Sequence, residues 1–142
     1  MISVLIVDDQ KTIQQFLKAA LQAEPDLEIV GVASDGKEAI EQVELLRPDV
    51  VVMDINMPVM DGLSATRVIS DRYTSTRVLI LSLYDDDEYL SDALEAGAKG
   101  YLFKNTPSED IIIAVRSVYK GYFQLGPGLL EKYLYKLAMT SR

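Results

Sequence analysis

The chain contains no cysteine and no histidine among its 142 residues. The first absence rules out disulfides and thiolate chemistry, and the two together rule out zinc sites of the Cys/His kind and any histidine-based catalytic triad. Positive charge is also scarce, with 14 Lys and Arg against 22 Asp and Glu, for a net charge of −8. Attraction to phosphate backbones or anionic lipid would be reversed at that charge, so neither direct nucleic-acid binding nor a membrane partner is expected. No basic leader opens the sequence and no apolar run reaches transmembrane length, which predicts a soluble, cytoplasmic protein. Oxygen-ligand chemistry is what remains.

Nearly half of the residues are apolar, enough for one globular domain with a real core and a short appendage. The stretch Val50 to Gly62, VVVMDINMPVMDG, organises the rest. A β-branched run ends abruptly in Asp54, and Pro58 and Gly62 break any continuation, which places Asp54 where a buried strand opens into a loop. Ile2 to Val7 repeats the pattern and delivers Asp8 and Asp9.

Ile13, Phe16, Leu17, Ala20 and Leu21 recur at helical spacing and stop near Pro25, and Leu27 to Ala33 forms a second strand. Asp35 and Glu38 resemble a capping box for a helix that ends before Pro48. A third helix follows Gly62 to about Arg72. Val78 to Ser82 is a fourth strand ending in a hydroxyl. The acids from Asp85 to Glu88 suit the first turn of a fourth helix. Lys99 to Phe103 is a fifth strand ending in Lys104, and Thr106-Pro-Ser-Glu109 starts a fifth helix with Thr106 as N-cap. Its apolar set, Ile111, Ile112, Ile113, Val115 and Val118, is wider than one face and marks a candidate partner surface.

Five alternating strands and helices predict a doubly wound α/β fold with a parallel sheet covered on both faces. The composition shifts after residue 121. Residues 1–121 are expected to be the domain, and 122–142 a turn-rich linker with a short helix carrying Leu130, Tyr133, Leu134 and Leu137 as an amphipathic stripe.

In such a sheet the tips of strands one, three, four and five lie together at the ligand-binding edge. Asp8, Asp9, Asp54, Ser82 and Lys104 would then share one crevice. Neighbouring carboxylates repel unless a cation is present, and a hard divalent ion such as Mg2+ resolves the repulsion. Asp54 is then the nucleophile that accepts a phosphoryl group, with Mg2+ on one side and Lys104 and Ser82 on the other.

These motifs resemble the response-regulator receiver domain of two-component signalling, the CheY-like fold. The likeness is carried by Asp8-Asp9, MDINMPVMDG around Asp54, Ser82, and KGYLFKNTP around Lys104. It implies the flavodoxin-like strand order 2-1-3-4-5, Asp54 as phosphoacceptor, and Asp9 as a direct Mg2+ ligand. It further implies Asp8 as a ligand directly or through water, Asn56 as a backbone carbonyl ligand, Ser82 and Lys104 as holders of the phosphoryl group, and Ser82 and Tyr101 as switch residues. The implied partners are a sensor histidine kinase and, after phosphorylation, a second copy of the chain. The style of the fifth helix and linker is most similar to the NarL/FixJ-like branch, although Asn105 stands where many receivers carry proline. No helix-turn-helix sequence follows, so transcriptional output is expected from a DNA-binding domain absent from this chain, which is either part of a longer regulator or a free-standing receiver.

Competing functions make different demands. A flavodoxin-like electron carrier needs a hydroxyl- and glycine-rich loop after strand one, where Asp8 and Asp9 would repel the flavin phosphate. A haloacid-dehalogenase-like phosphatase needs an acid two residues beyond its nucleophile, where this chain has Asn56, incapable of general acid-base work. The chain is therefore expected to be no turnover enzyme, catalysing only its own phosphorylation and slow dephosphorylation, with Tyr84 placed to screen the phosphate. A metal-independent interaction module is the third alternative.

Overall fold

The computed structural model describes residues 1–83 and 87–140, with the backbone alone at 87 and 88. In chain order the elements are β1 (Ile2–Val7), α1 (Lys11–Gln22), β2 (Leu27–Ala33), α2 (Gly36–Leu46), β3 (Val50–Met53), α3 (Gly62–Arg72), β4 (Arg77–Ser82), α4 (Asp87–Glu95), β5 (Gly100–Phe103), α5 (Ser108–Tyr119), β6 (Gln124–Leu125) and α6 (Leu129–Thr140). The strands form one parallel sheet in the order β2-β1-β3-β4-β5-β6. The expected order 2-1-3-4-5 is present, extended by a short sixth strand. Tyr84 and the acids at 85 and 86 lie outside the described residues, as do the side chains of Asp87 and Glu88.

Because successive side chains on a strand point to opposite faces, the apolar strands feed two cores at once. Leu5, Val7, Val51, Met53 and Ile80 meet Ala39, Val43, Ala65, Ile69, Leu90 and Ala93 from α2, α3 and α4 on one face. Val4, Ile6, Val50, Val52, Leu79 and Leu81 meet Leu17, Leu21, Ile111, Val115 and Val118 from α1 and α5 on the other. Strands buried on both faces explain why the sequence shows continuous rather than alternating apolar runs. No helix among the described residues is long and apolar enough to cross a membrane.

Local signals were met unevenly. Asp35 caps α2 by accepting from the Glu38 amide at 2.8 Å, but Glu38 reaches back to the Ser34 amide, at 3.4 Å, so the box does not close on itself. Thr106 does not cap α5. Its amide donates to the Phe103 carbonyl at 3.0 Å, closing the turn that carries Lys104, and the helix starts at Ser108 with Pro107 in the capping position. The wide apolar set of α5 is mostly core, since only Ile113 is exposed, at 54%.

The segment expected to be linker holds β6. Gly121, at φ +98°, turns the chain back after α5. Gln124 and Gly126 then donate to the carbonyls of Lys99 and Tyr101 at 3.2 and 2.9 Å. The α6 helix docks through Leu129, fully buried, and the half-buried Tyr133, while Leu130, Leu134 and Leu137 face outward. Of the predicted stripe Tyr133 alone packs and the three leucines are exposed, because the turn at Pro127 and Gly128 presents Leu129 to the core.

Candidate functional site

Four parallel strands, β1, β3, β4 and β5, end at one edge of the sheet, and their register decides what meets. Val7 pairs with Met53 across β1 and β3, so the next residues, Asp8 and Asp54, emerge side by side. Their backbones stay tied to the sheet edge: the Asp8 amide donates to Ala33 at 3.1 Å and the Asp54 amide to Val7 at 2.9 Å. Ser82 pairs with Phe103 across β4 and β5, and the Lys104 amide donates to the Ser82 carbonyl at 2.8 Å, which delivers the lysine to the same edge.

The result is an acidic pocket with an internal cation. One carboxylate oxygen from each of Asp8, Asp9 and Asp54 lies within 4.8 Å of the others. Asp8 and Asp54 are buried and Asp9 is exposed, so the cluster opens to solvent on the Asp9 side. Lys104 Nζ lies 2.8 Å from Asp8 Oδ2 and 3.1 Å from Asp54 Oδ1. Three carboxylates against one ammonium leave a surplus of about two negative charges, and three hard oxygen donors around one point are what a divalent cation of the Mg2+ or Ca2+ kind takes.

Electrostatics follow from burial. Asp54 is pushed up from an ordinary 3.8 to about 6, first by desolvation and then by the Asp8 charge, against the opposing pull of Lys104. Burial works to lower the ammonium pKa of Lys104, but its hydrogen bond to Asp8 and the Asp54 charge carry it above the ordinary value. The lysine therefore remains a permanent cation in the pocket.

Of the residues expected at the site, the structure brings Asp8, Asp9, Asp54 and Lys104 together. Ser82 is fully buried at the tip of β4, beside a cavity of about 340 Å³ that it lines with Leu83, Phe103, Lys104 and Asn105. Asn56 sits exposed on the loop two residues beyond Asp54. Tyr101 is fully buried, pointing to the α4 face, with its ring edge-on to Phe103 at 6.4 Å.

Several supporting residues gave no clear sequence signal. The Gln10 amide donates to Asp8 Oδ1 at 2.9 Å, and the Gln14 side-chain amide donates to the Asp8 carbonyl, so the start of α1 fixes Asp8. The Ile55 amide donates to Asp54 Oδ1 at 2.8 Å. Val59 holds φ +69° in the loop after Asp54, a left-handed conformation costly for a β-branched residue and typical of loops shaped by function.

Gly62 is the tightest constraint. Its amide donates to Ile55 at 2.7 Å, and a Cβ there would fall 1.8 Å from the Asp54 carbonyl oxygen. Gly62→Ala is expected to displace the β3–α3 connection and cost about 3 kcal/mol, the range of forced overpacking. Denaturant unfolding of the variant checks this, with an unchanged midpoint as the contrary result.

A doubly wound parallel sheet with an acid cluster and a lysine at its C-terminal edge defines the receiver class, and the comparisons agree. The chain belongs to the response-regulator receiver family, whose description, "Response regulator receiver domain", matches residues 4–116. It is 44% identical over 119 residues to the "Oxygen regulatory protein NreC" of Staphylococcus haemolyticus (strain JCSC1435), covering 83% of this chain and 55% of the relative. The chain thus spans about half the length of that curated relative. Among solved structures, the signal receiver domain of the putative response regulator NarL from Mycobacterium tuberculosis superposes with TM-score 0.82 at 32% identity, covering 84% of this chain and 97% of that one. A LuxR-family two-component response regulator from Aurantimonas sp. SI85-9A1 superposes with TM-score 0.89 at 26% identity, covering 96% and 97%. The likeness to NarL-type receivers read from the sequence is met.

Proposed function

We propose that this chain is a phosphoacceptor receiver in which Asp54 takes a phosphoryl group from a sensor histidine kinase, with Mg2+ held by Asp8, Asp9, Asp54 and the Asn56 carbonyl. The observation that carries this reading is the position of Asp54: buried, within 4.8 Å of two further carboxylates, and 3.1 Å from a lysine ammonium. Family membership supports the kinase as donor.

Asp54 Oδ1 is engaged by the Ile55 amide and Lys104. Oδ2 is then the attacking oxygen, forming the new O–P bond as the donor's bond to phosphorus breaks. With a pKa of about 6 the carboxylate is mostly ionised at neutral pH and competent as a nucleophile. When bound, Mg2+ supplies charge neutralisation for the transferring group. Lys104 meets the same charge from the other side, and Ser82 meets a phosphoryl oxygen at the cavity it lines. No acid stands two residues beyond Asp54, where Asn56 lies, so water is poorly activated and the phosphoryl group persists as a signal.

The new charge would draw Ser82 and Tyr101 toward it and re-face α4, β5 and α5, a two-state element biased by a local charge. The readout is homodimerisation and control of transcription through a DNA-binding domain outside this chain, which itself does not contact nucleic acid at net charge −8.

The test is incubation of the purified chain with a small phosphodonor such as acetyl phosphate, followed by intact mass. One added phosphoryl group with Mg2+ and none with a chelator is expected. Uptake indifferent to the chelator would overturn the reading.

A further inference from the structure

The face that this mechanism re-faces is already occupied by the chain itself. β5 carries Tyr101 and, one residue past its end, Lys104, which touches Asp54 at 3.1 Å. Its free edge is taken by β6, through the bonds from Gln124 to the Lys99 carbonyl and from Gly126 to the Tyr101 carbonyl. The α6 helix packs on α4. Leu129, 1% exposed, joins Tyr101, Leu90 and Ala93 in one apolar cluster. Lys99 Nζ lies 5.6 Å from the centre of the Phe123 ring and adds a cation–π contact at the start of the segment.

We propose that residues 122–140 are a cis-docked regulatory element that covers the α4–β5 face while Asp54 is unmodified and leaves it once Asp54 carries phosphate. The inference rests on the phosphoacceptor reading above and adds what the switch releases. The anchorage is small, a two-residue strand and one fully buried leucine, which places the segment among the least stable parts of the fold. It also grips the two elements tied to the site: α4 follows Ser82 in the chain, and β5 leads into Lys104. A shift of either disturbs a surface on which the segment is docked, the order-to-disorder form of switching. The segment leaves the domain at one turn: Gly121, at φ +98°, and Tyr122 donate to the carbonyls of Val118 and Ser117 at 3.0 and 2.9 Å, so α5 stays capped whether or not the residues beyond it are docked. Release would free the edge of β5 and the α4 surface under α6 for a second copy of the chain.

Amide hydrogen exchange of the full chain, resolved by NMR at Gln124 and Gly126, tests this in three samples: protein alone, protein with Mg2+ and beryllium fluoride as the phosphoryl mimic, and Leu129→Glu alone. Exchange at both amides is expected to be at least tenfold faster in the second and third samples, with the amides of Val4 to Val7 protected in all three. Unchanged protection of Gly126 with the mimic bound, as reported by altered exchange around Asp8 and Asp54, would overturn the proposal. Loss of β1 protection in Leu129→Glu would show the segment to be integral core and overturn it as well. Absence of any change around Asp8 and Asp54 would instead overturn the phosphoacceptor reading, and the trigger with it.

Discussion

Asp54→Asn is expected to abolish phosphoryl uptake and, at pH 8 without metal, to raise the thermal midpoint by about 5–10 °C. The carboxylate is held at about 6 in the folded chain against an ordinary 3.8. Between those values the folded state keeps a proton that the unfolded state has released, so stability falls as pH rises through that window. Above pH 6 the ionised group costs about 3 kcal/mol, taken at about 1.4 kcal/mol for each pKa unit. The raised value is already net of the attraction to Lys104, so asparagine, which keeps the shape, should recover about 2–3 kcal/mol, which converts to a shift of that size in a chain of this length. The sign gives the control: the difference between variant and parent should shrink as pH falls below 6 and vanish only near pH 3, below both values, where both states of the parent are protonated. Scanning calorimetry in chelator across pH 3–8 makes the comparison, and a destabilised variant at pH 8 would mean that Asp54 is a net structural contributor.

The second large effect is expected at Lys104. Its ammonium is the only positive group seen against Asp8 and Asp54 among the described residues, at 2.8 and 3.1 Å, and it is 8% exposed. Removing one member of a buried pair leaves the other charge uncompensated, at a cost of about 3–5 kcal/mol. Lys104→Ala should therefore be strongly destabilised in chelator, by more than 10 °C in midpoint. It should also bind Mg2+ more tightly than the parent, because the lysine and the metal neutralise the same two acids. Added Mg2+ should then recover much of the lost stability, and a tenfold excess over Kd already contributes about 1.4 kcal/mol. Phosphoryl uptake should remain slow even with metal, by about 10²-fold, since one fixed charge facing the transferring group is gone. Unfolding with and without Mg2+ separates these effects. A Lys104→Ala protein as stable as the parent in chelator, or one that Mg2+ does not rescue, would contradict this account of the pocket.

Much of this was legible before any coordinates. Asp8, Asp54, Ser82 and Lys104 each follow an apolar run too short for a helix, and a parallel sheet places such run ends on one edge whatever the loops do. Register supplies the rest: with Val7 opposite Met53, Met53 opposite Ile80 and Ser82 opposite Phe103, the acids and the lysine share one edge. The residues that escaped detection act through the backbone or through one particular rotation. Gly62 is legible as a breaker, but not the 1.8 Å approach of its Cβ position to the Asp54 carbonyl oxygen, which no periodicity encodes. Val59 was unmarked because a β-branched residue does not advertise a left-handed turn. Gln14 serves Asp8 through a side-chain amide that composition alone cannot assign. The two residues of β6 sit in a glycine-rich stretch too short to show alternation, and they pair because α5 and the Gly121 turn bring them to an open strand edge. Leu129 lies outside the expected stripe of Leu130, Tyr133, Leu134 and Leu137, of which Tyr133 alone packs on the domain.

The central claim is that three acids from two strand ends share one divalent cation next to Lys104. Calorimetric titration of Mg2+ into the full chain, into Asp9→Asn and into Asp54→Asn tests it most directly. The pocket predicts one Mg2+ per chain for the parent and binding weakened by at least tenfold in each variant. Mg2+ binding that survives both substitutions unchanged would place the metal elsewhere and contradict the account.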